Sequence, residues 1–318
     1  MTTRARNGNG LLWAGLALAA LAGVNALAQR RAERRTPPVG RLLEVDGERV
    51  HVVERGTGAP IVLIHGNGSL AQDWLSSGVV ERLAATHRVI IVERPGFGHS
   101  SRSRRRVWTP SAQARLLRGA LDQLGVSAAT IVGHSSGTLV ALAHALDYPA
   151  QTAAIGLLSG YYFWTPRADV MLFSGPAVPG IGDVIRYTLA PPMGLAMTPL
   201  AFAANFRPAA VTPAFRAGMP VDMMLRPSQI RAVAADNLLM GPGAEALRAR
   251  LGELRVPVLL MNGDGDKIVS HATHTDRLAA LLPQAEHVTV PRAGHMIQHI
   301  APDLVANAIL RLAERATA

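Results

Sequence analysis

Short apolar runs alternate with longer stretches of helical period along most of this chain. Residues 61–64, 89–92, 128–132, 153–158 and 256–261 are near-continuous apolar segments of strand length, the pattern of strands buried on both faces. Between them, 113–124 and 138–148 place apolar residues at helical spacing, and 303–314 closes the chain as an amphipathic helix. This alternation predicts an α/β fold with a mostly parallel central sheet and helices on both faces. Residues 41–45 and 49–53 flank Asp46-Gly47-Glu48, a hairpin signal. The alternation stops near residue 161 and resumes after 247. The segment between is rich in Pro, Met, Ala and Phe, with short helical stretches and no clear strands.

Ahead of this pattern, residues 11–28 form an apolar run with no charge and one polar residue, Asn25. At 1.5 Å per residue, eighteen residues reach the lower end of what spans a ~30 Å bilayer core. Arg4 and Arg6 precede the run; Arg30, Arg31, Arg34 and Arg35 follow it. Ala26-Leu27-Ala28 has the small residues of a signal-peptide cleavage site, which would make the domain secreted or periplasmic. Arginines directly after the run suit an uncleaved single-pass anchor in contact with membrane lipid, and that reading is preferred. A buried core helix is disfavoured, because the run lies before the domain and lacks a polar face. Four arginines against two place the downstream flank on the cytoplasmic side. The expected organisation is a basic tail at 1–10, the anchor helix at 11–28 and a stiff linker at 29–40. The α/β core follows at 41–160 and 248–318, interrupted by an insertion at 161–247.

Gly133-His134-Ser135-Ser136-Gly137 lies between a predicted strand and a predicted helix. In that context G-x-S-x-G marks a tight turn that presents a serine hydroxyl at the sheet edge. A serine needs a base, and the base needs an orienting group. Asp264 and Asp266 follow the strand at 256–261, and His295 follows the short strand at 287–290. The chain order Ser, Asp, His places all three in loops at the carboxyl edge of a parallel sheet, where ligands bind. Ser136 is the rival to Ser135 as nucleophile. No histidines fall at i, i+4 around a glutamate, and there are no cysteines, so no metal site, thiolate chemistry or disulfide is expected.

Several pieces together resemble the α/β-hydrolase superfamily: Leu63-Ile64-His65-Gly66-Asn67-Gly68, Arg94-Pro95-Gly96-Phe97-Gly98-His99-Ser100, the Ser135 motif, Gly263-Asp264-Gly265-Asp266 and Ala293-Gly294-His295-Met296. The chain is similar to small bacterial hydrolases with a helical cap, a group of esterases, haloperoxidase-like enzymes and carbon–carbon bond hydrolases. The resemblance implies that the 161–247 insertion is the cap and that Asp266, rather than Asp264, orients His295. It implies an oxyanion hole from the N–H groups of Asn67 (Gly68 being the less favoured donor) and Ser136, with the Ser136 side chain passive. His65 would hold the oxyanion loop, His134 would pack beneath the turn, and His99 and His299 would be loop and helix-surface residues. Glu93 replaces an aspartate common in the family and is expected at the cavity edge. Asn67 stands where haloalkane dehalogenases hold halide, but their chemistry requires a carboxylate where this chain has Ser135. The expected activity is cofactor-free cleavage of a small apolar ester through an acyl-enzyme. Carbon–carbon bond hydrolysis or haloperoxidase-like activity on the same triad is the alternative, and a non-catalytic binding protein is the reading from another class.

With 49% hydrophobic residues in 318, the chain can bury a full core. Its formal charge is +10 with Lys267 as the sole lysine, an arginine preference unaccompanied by a nucleic-acid recognition motif. Nucleic acid is therefore not an expected partner. The run Arg102-Ser103-Arg104-Arg105-Arg106 is read as a solvated patch, with lipid headgroups as what it could face. Met171, Phe173, Met193, Met197, Phe202, Phe206, Met219, Met223 and Met224 are cavity candidates, most of them read as the cap's own core. His271 and His274 are read as solvated.

Overall fold

The computed structural model describes residues 4–165 and 173–316. Eight strands form one sheet: β1 (Arg41–Val45), β2 (Glu48–Arg55), β3 (Pro60–Ile64), β4 (Arg88–Val92), β5 (Ala129–His134), β6 (Thr152–Leu158), β7 (Val258–Gly263) and β8 (Glu286–Val290). Their spatial order is β1-β2-β4-β3-β5-β6-β7-β8. The β1–β2 and β2–β4 pairs are antiparallel and every later pair is parallel. Asp46 and Gly47, at φ 51° and 75°, make the β1–β2 turn, whose positive φ values match the strand twist.

Burial follows the apolar runs. Helices Pro110–Gln123 and Gly137–Asp147 cover one face, with Leu116, Leu121, Leu139 and Leu142 against Val62, Ile131 and Leu157. Val79–Ala84 and Pro302–Arg315 cover the other, where Val80, Ile309 and Leu312 meet Ile61, Ile91 and Leu259. The parallel order leaves the carboxyl ends of β3, β5, β7 and β8 along one edge.

Between β6 and β7 the described chain is helical: Ile181–Tyr187, Ala190–Phe206, Pro213–Gly218, Val221–Met224 and Pro227–Arg248. Phe206, Phe215, Met219 and Met223 seat this layer on Leu70 and Met296 of the sheet domain and on Ala32 of the amino-terminal helix.

That helix runs from Arg4 to Arg35 without a break, which corrects the expected division into a tail at 1–10 and a linker beginning at 29. Residues 29–35 are Gln, Arg, Ala and Glu, good helix formers, and Gln29 bonds Glu33 one turn on. The helix stops at Thr36-Pro37-Pro38, where proline disallows it; only 36–40 connect it to β1. Within Leu12–Arg35 an 18-residue window reaches a mean hydropathy of 1.5, and the helix is long and apolar enough to cross a membrane. Leu12, Trp13, Leu16, Val24 and Leu27 are exposed, while Asn25 donates to the carbonyls of Tyr187 (2.9 Å) and Thr188 (2.8 Å).

Candidate active site

Strand β5 ends in the turn that carries Ser135, which sits at φ 53° in the left-handed region. A non-glycine residue there is strained by about 1 kcal/mol or more and persists only where its surroundings enforce it. Here they do. The Ser135 N–H bonds the Leu158 carbonyl at 2.8 Å, and its carbonyl accepts from Thr138 N at 3.0 Å. A Cβ on Gly133 would lie 2.4 Å from the Gly137 backbone, and one on Gly137 would lie 2.6 Å from the Ile64 carbonyl. Both glycines are therefore required for strand β5, its helix and strand β3 to pack this closely.

The loops after β7 and β8 meet at the same edge. His295 Nδ1 and Asp266 Oδ2 are 2.8 Å apart, both side chains buried. Burial alone would raise the Asp266 pKa, but the neighbouring His295, its hydrogen bond, and the N–H groups of Val269 and Ile268 bring it below the usual value. Asp266 is thus an anion that accepts from the His295 ring and leaves Nε2 free to take a proton. Asp264 has no such bond to His295. The structure brings Ser135 and His295 to one cavity, with Asp266 behind the imidazole.

The His295 backbone is held from two sides: its N–H donates to the Asn205 carbonyl (2.9 Å) and its carbonyl accepts from His134 Nε2 (3.0 Å). His134 lies under the turn, and burial, reinforced by His295, lowers its pKa to about 4. It is a neutral donor at physiological pH. Behind it lies a fully buried carboxylate, Asp73. Burial opposes its charge, but a bond to His299 (2.7 Å), the charges of His299 and His134 and a bond from Gln298 hold it at about 2.

His65 donates from Nδ1 to the Gly66 carbonyl (2.8 Å) and accepts at Nε2 from Arg94 N (3.1 Å). Burial and Arg94 lower its pKa to about 4, which keeps that acceptor available. It ties down the loop that carries Asn67. The Asn67 amide donates to the Val233 carbonyl (3.2 Å) and Asn237 Oδ1 (2.8 Å). Among the described residues, neither the Asn67 nor the Ser136 N–H finds an acceptor.

The cavity above Ser135 has a volume of about 250 Å³. Phe173, Phe202, Met219, Met224 and Met240 make much of its wall. Of the other candidates, Phe206 and Met223 are buried in the seat of the helical layer, Met193 and Met197 are exposed, and Met171 lies outside the described residues. No arginine or lysine lines the cavity among the described residues.

Several expectations need correction. His299 is buried against Phe206 and Phe215 and bonded to Asp73, because its short helix Ile297–Ile300 faces the interior. His274 is buried and accepts from the N–H groups of Tyr162 (3.2 Å) and Phe163 (3.3 Å); His271, paired with Asp276, is half-buried. Glu93 does not border the cavity. It is fully buried, bonded to His51 and to the N–H groups of Ala71 and His99. The Ser136 hydroxyl accepts a hydrogen bond from Arg94 at 2.7 Å. Arg102 is buried in an ion pair with Asp236 that Arg94 shares, so the 102–106 run is not wholly solvated. Asn205, Asn237 and Asp73 carried no motif, and their positions depend on contacts distant in sequence.

A family profile for the alpha/beta hydrolase fold matches residues 59–302. A 2-hydroxy-6-oxo-6-phenylhexa-2,4-dienoate hydrolase of Burkholderia cepacia is 26% identical over 252 residues, covering 79% of this chain and 86% of its own. Haloalkane dehalogenase 2 of Mycobacterium tuberculosis is 28% identical over 268 residues, 82% of this chain and 90% of its own. A thermophilic esterase from Thermogutta terrifontis superposes with a TM-score of 0.71 at 23% identity, over 88% of this chain and 100% of its own. A membrane phospholipase A superposes at 0.67 and 21% identity over 99% of both chains. At these identities the two structures speak to the fold alone.

Proposed function

Because this chain belongs to the α/β-hydrolase family and is a hydrolase, we propose that it is a membrane-anchored serine hydrolase that cleaves a small, neutral, apolar ester. The observation that carries this reading is the His295–Asp266 hydrogen bond at the foot of an apolar cavity that Ser135 also lines. In this mechanism His295 Nε2 takes the Ser135 proton as Oγ attacks the ester carbonyl. The Asn67 and Ser136 N–H groups receive the developing oxyanion. His295 returns the proton to the departing alkoxide, then deprotonates the water that releases the acid from Ser135. Asp266 stays ionised and fixes the imidazole tautomer.

A second reading, carbon–carbon bond hydrolysis on the same three residues, is favoured by the names of relatives such as the Burkholderia cepacia enzyme. A dienoate substrate carries a carboxylate, and the described cavity wall offers it no cation. The apolar side chains of the described wall, Phe173, Phe202, Met219, Met224 and Met240, support the apolar ester. Dehalogenation would need a carboxylate at position 135, where this chain has a hydroxyl.

The anchor is part of the same proposal. Cleavage after Ala28 would remove Asn25 from the Tyr187 and Thr188 carbonyls it bonds, so the docked helix is better explained as retained. An intact mass that includes the residues before Ala28, from protein kept in carbonate-washed membranes, tests this. For the chemistry, fluorophosphonate labelling of the full chain beside Ser135→Ala and His295→Ala comes first. Labelling of the wild type alone supports an activated serine, and no labelling of folded wild type favours a binding protein. A panel of neutral esters against a 2-hydroxy-6-oxo-dienoate then separates the two hydrolase readings by kcat/KM.

A further inference from the structure

A second cavity, of about 630 Å³, shares no lining residue with the first. It lies where the carboxyl-terminal end of the long amino-terminal helix, the 96–104 loop, helix Ile181–Tyr187 and the start of helix Pro227–Arg248 converge. Six arginines line it: Arg49, Arg102, Arg104, Arg186, Arg226 and Arg231. The acids nearby are fewer and engaged: Glu48, which also acts on Arg102, accepts from Ser101 and Ser103, and Glu44 stands opposite Arg49 across the β1–β2 pair. Glu33 pairs with Arg226, Asp183 is shared by Arg104 and Arg186, and Asp236 is shared by Arg102 and Arg94. Arg49 and Arg231 have no carboxylate within ion-pair distance among the described residues.

Arg231 is the informative member. It is half-buried, and burial together with the charges of Arg104 and Arg186 depresses its pKa. Its own charge, after burial, helps bring Arg102 down to about 9. Like charges held together in a partly dry site are unfavourable without a counter-charge. The 22-residue helix that begins at Pro227 also opens towards this cavity through Ser228 without a side-chain cap, which adds its positive end to the same field.

We propose that this cavity is a binding site for a phosphate group. The group is compact, carries one or two negative charges, and accepts the forked bonds that guanidinium groups donate. Two sources share that chemistry, an anionic phospholipid headgroup and a soluble phosphate. The position of the cavity favours the headgroup. Gln29 and Glu33 line it and follow the apolar run ending at Ala28 within about 8 Å of helix rise. This is the depth of the headgroup layer beside a ~30 Å hydrocarbon core. Leu42 and Tyr187 on its border supply apolar surface for the glycerol and the start of the acyl chains.

The test uses delipidated full-length protein in a neutral detergent, with thermal stability followed on adding phosphatidylglycerol, phosphatidylcholine or inorganic phosphate at fixed ionic strength. Phosphatidylglycerol is expected to raise Tm in a saturable way and phosphatidylcholine is not. Arg231→Gln is expected to raise Tm without ligand, because it removes a like charge, and to weaken phosphatidylglycerol binding at least fivefold. Arg49→Gln should weaken binding without the first effect, and Arg216→Gln, exposed elsewhere on the helical layer, should change neither. An equal response to inorganic phosphate, also lost in Arg231→Gln, would assign the site to a soluble phosphate, an outcome independent of whether the helix is retained in a membrane. The proposal is overturned if neither phosphatidylglycerol nor phosphate stabilises the wild type, or if both variants bind as the wild type does.

Discussion

The cavity above Ser135 and the arginine-lined cavity lie against successive turns of one helix, Pro227–Arg248, with Val233, Asn237 and Met240 walling the first and Ser228 and Arg231 the second. They are built on opposite principles. In the first, the side chains that hold the catalytic loops are paired, Asp266 with His295, His65 with Gly66 and Arg94, and Asn67 with Asn237. The Asn67 and Ser136 N–H groups, Ser69 Oγ and His134 Nδ1 have no hydrogen-bond partner among the described residues. The remaining wall is apolar. A site so arranged is preorganised, and its donors need not move when charge develops on a substrate. In the second, cations outnumber their partners and repel one another. Such a site is completed only when an anion arrives. A reactive centre and a ligand receptor thus differ in whether the protein alone satisfies its own charges.

This contrast can be broken at several points. The largest effect is expected at Ser135. Ser135→Ala should leave the fold intact while abolishing fluorophosphonate labelling and lowering kcat by roughly 10⁶-fold, the scale on which removal of a triad serine acts. Asp266→Asn preserves shape but permits the wrong imidazole tautomer, and a fall of roughly 10⁴-fold in kcat with little change in KM is expected from steady-state assays. Asp73 is fully buried at the edge of the Ser135 cavity, and the main effect of Asp73→Asn should appear in stability. Removing a buried carboxylate bonded to His299 and Gln298 should cost about 3–5 kcal/mol in denaturant unfolding. Its pH signature has a definite sign. Asp73 is depressed from 3.8 to about 2, so its contribution is complete above about pH 4 and is lost as pH falls towards 2. The variant should lack that part of the acid-unfolding slope. The smallest effect is expected where the amino-terminal helix docks: Asn25→Ala removes two hydrogen bonds to the Tyr187 and Thr188 carbonyls and should lower stability by about 1–2 kcal/mol in a thermal melt, leaving kcat within about twofold.

The legibility of the two regions in the sequence also differs. The Ser135 turn was readable because its determinants are consecutive: an apolar strand, two glycines that backbone contacts make obligatory, and a helix. The α/β sheet was readable for the same reason, since strand and helix periods are local. At the amino terminus charge marks no boundary: residues 29–35 are good helix formers that continue the helix, and its end is set by Pro37 and Pro38. His299 was expected at the surface, yet its partner Asp73 lies 226 positions away. Asn237, which pins Asn67 from 170 positions away, gave no local signal. Arg102 looked like one member of a solvated run until Asp236 met it across 134 positions.

By itself, then, the sequence determined the order of strands and helices, the strained turn at Ser135, the acid and histidine on later loops, and an apolar amino-terminal helix. These follow from backbone periodicity, glycine sterics and hydrophobic patterning, which act over a few residues at a time. The tertiary structure alone decided which carboxylates are buried, which histidines stay neutral, where the amino-terminal helix docks, and that six arginines from separate segments share one cavity. The physical reason is that desolvation and Coulombic attraction depend on distance in space. No local pattern in the chain encodes that distance until the sheet has brought its loops together.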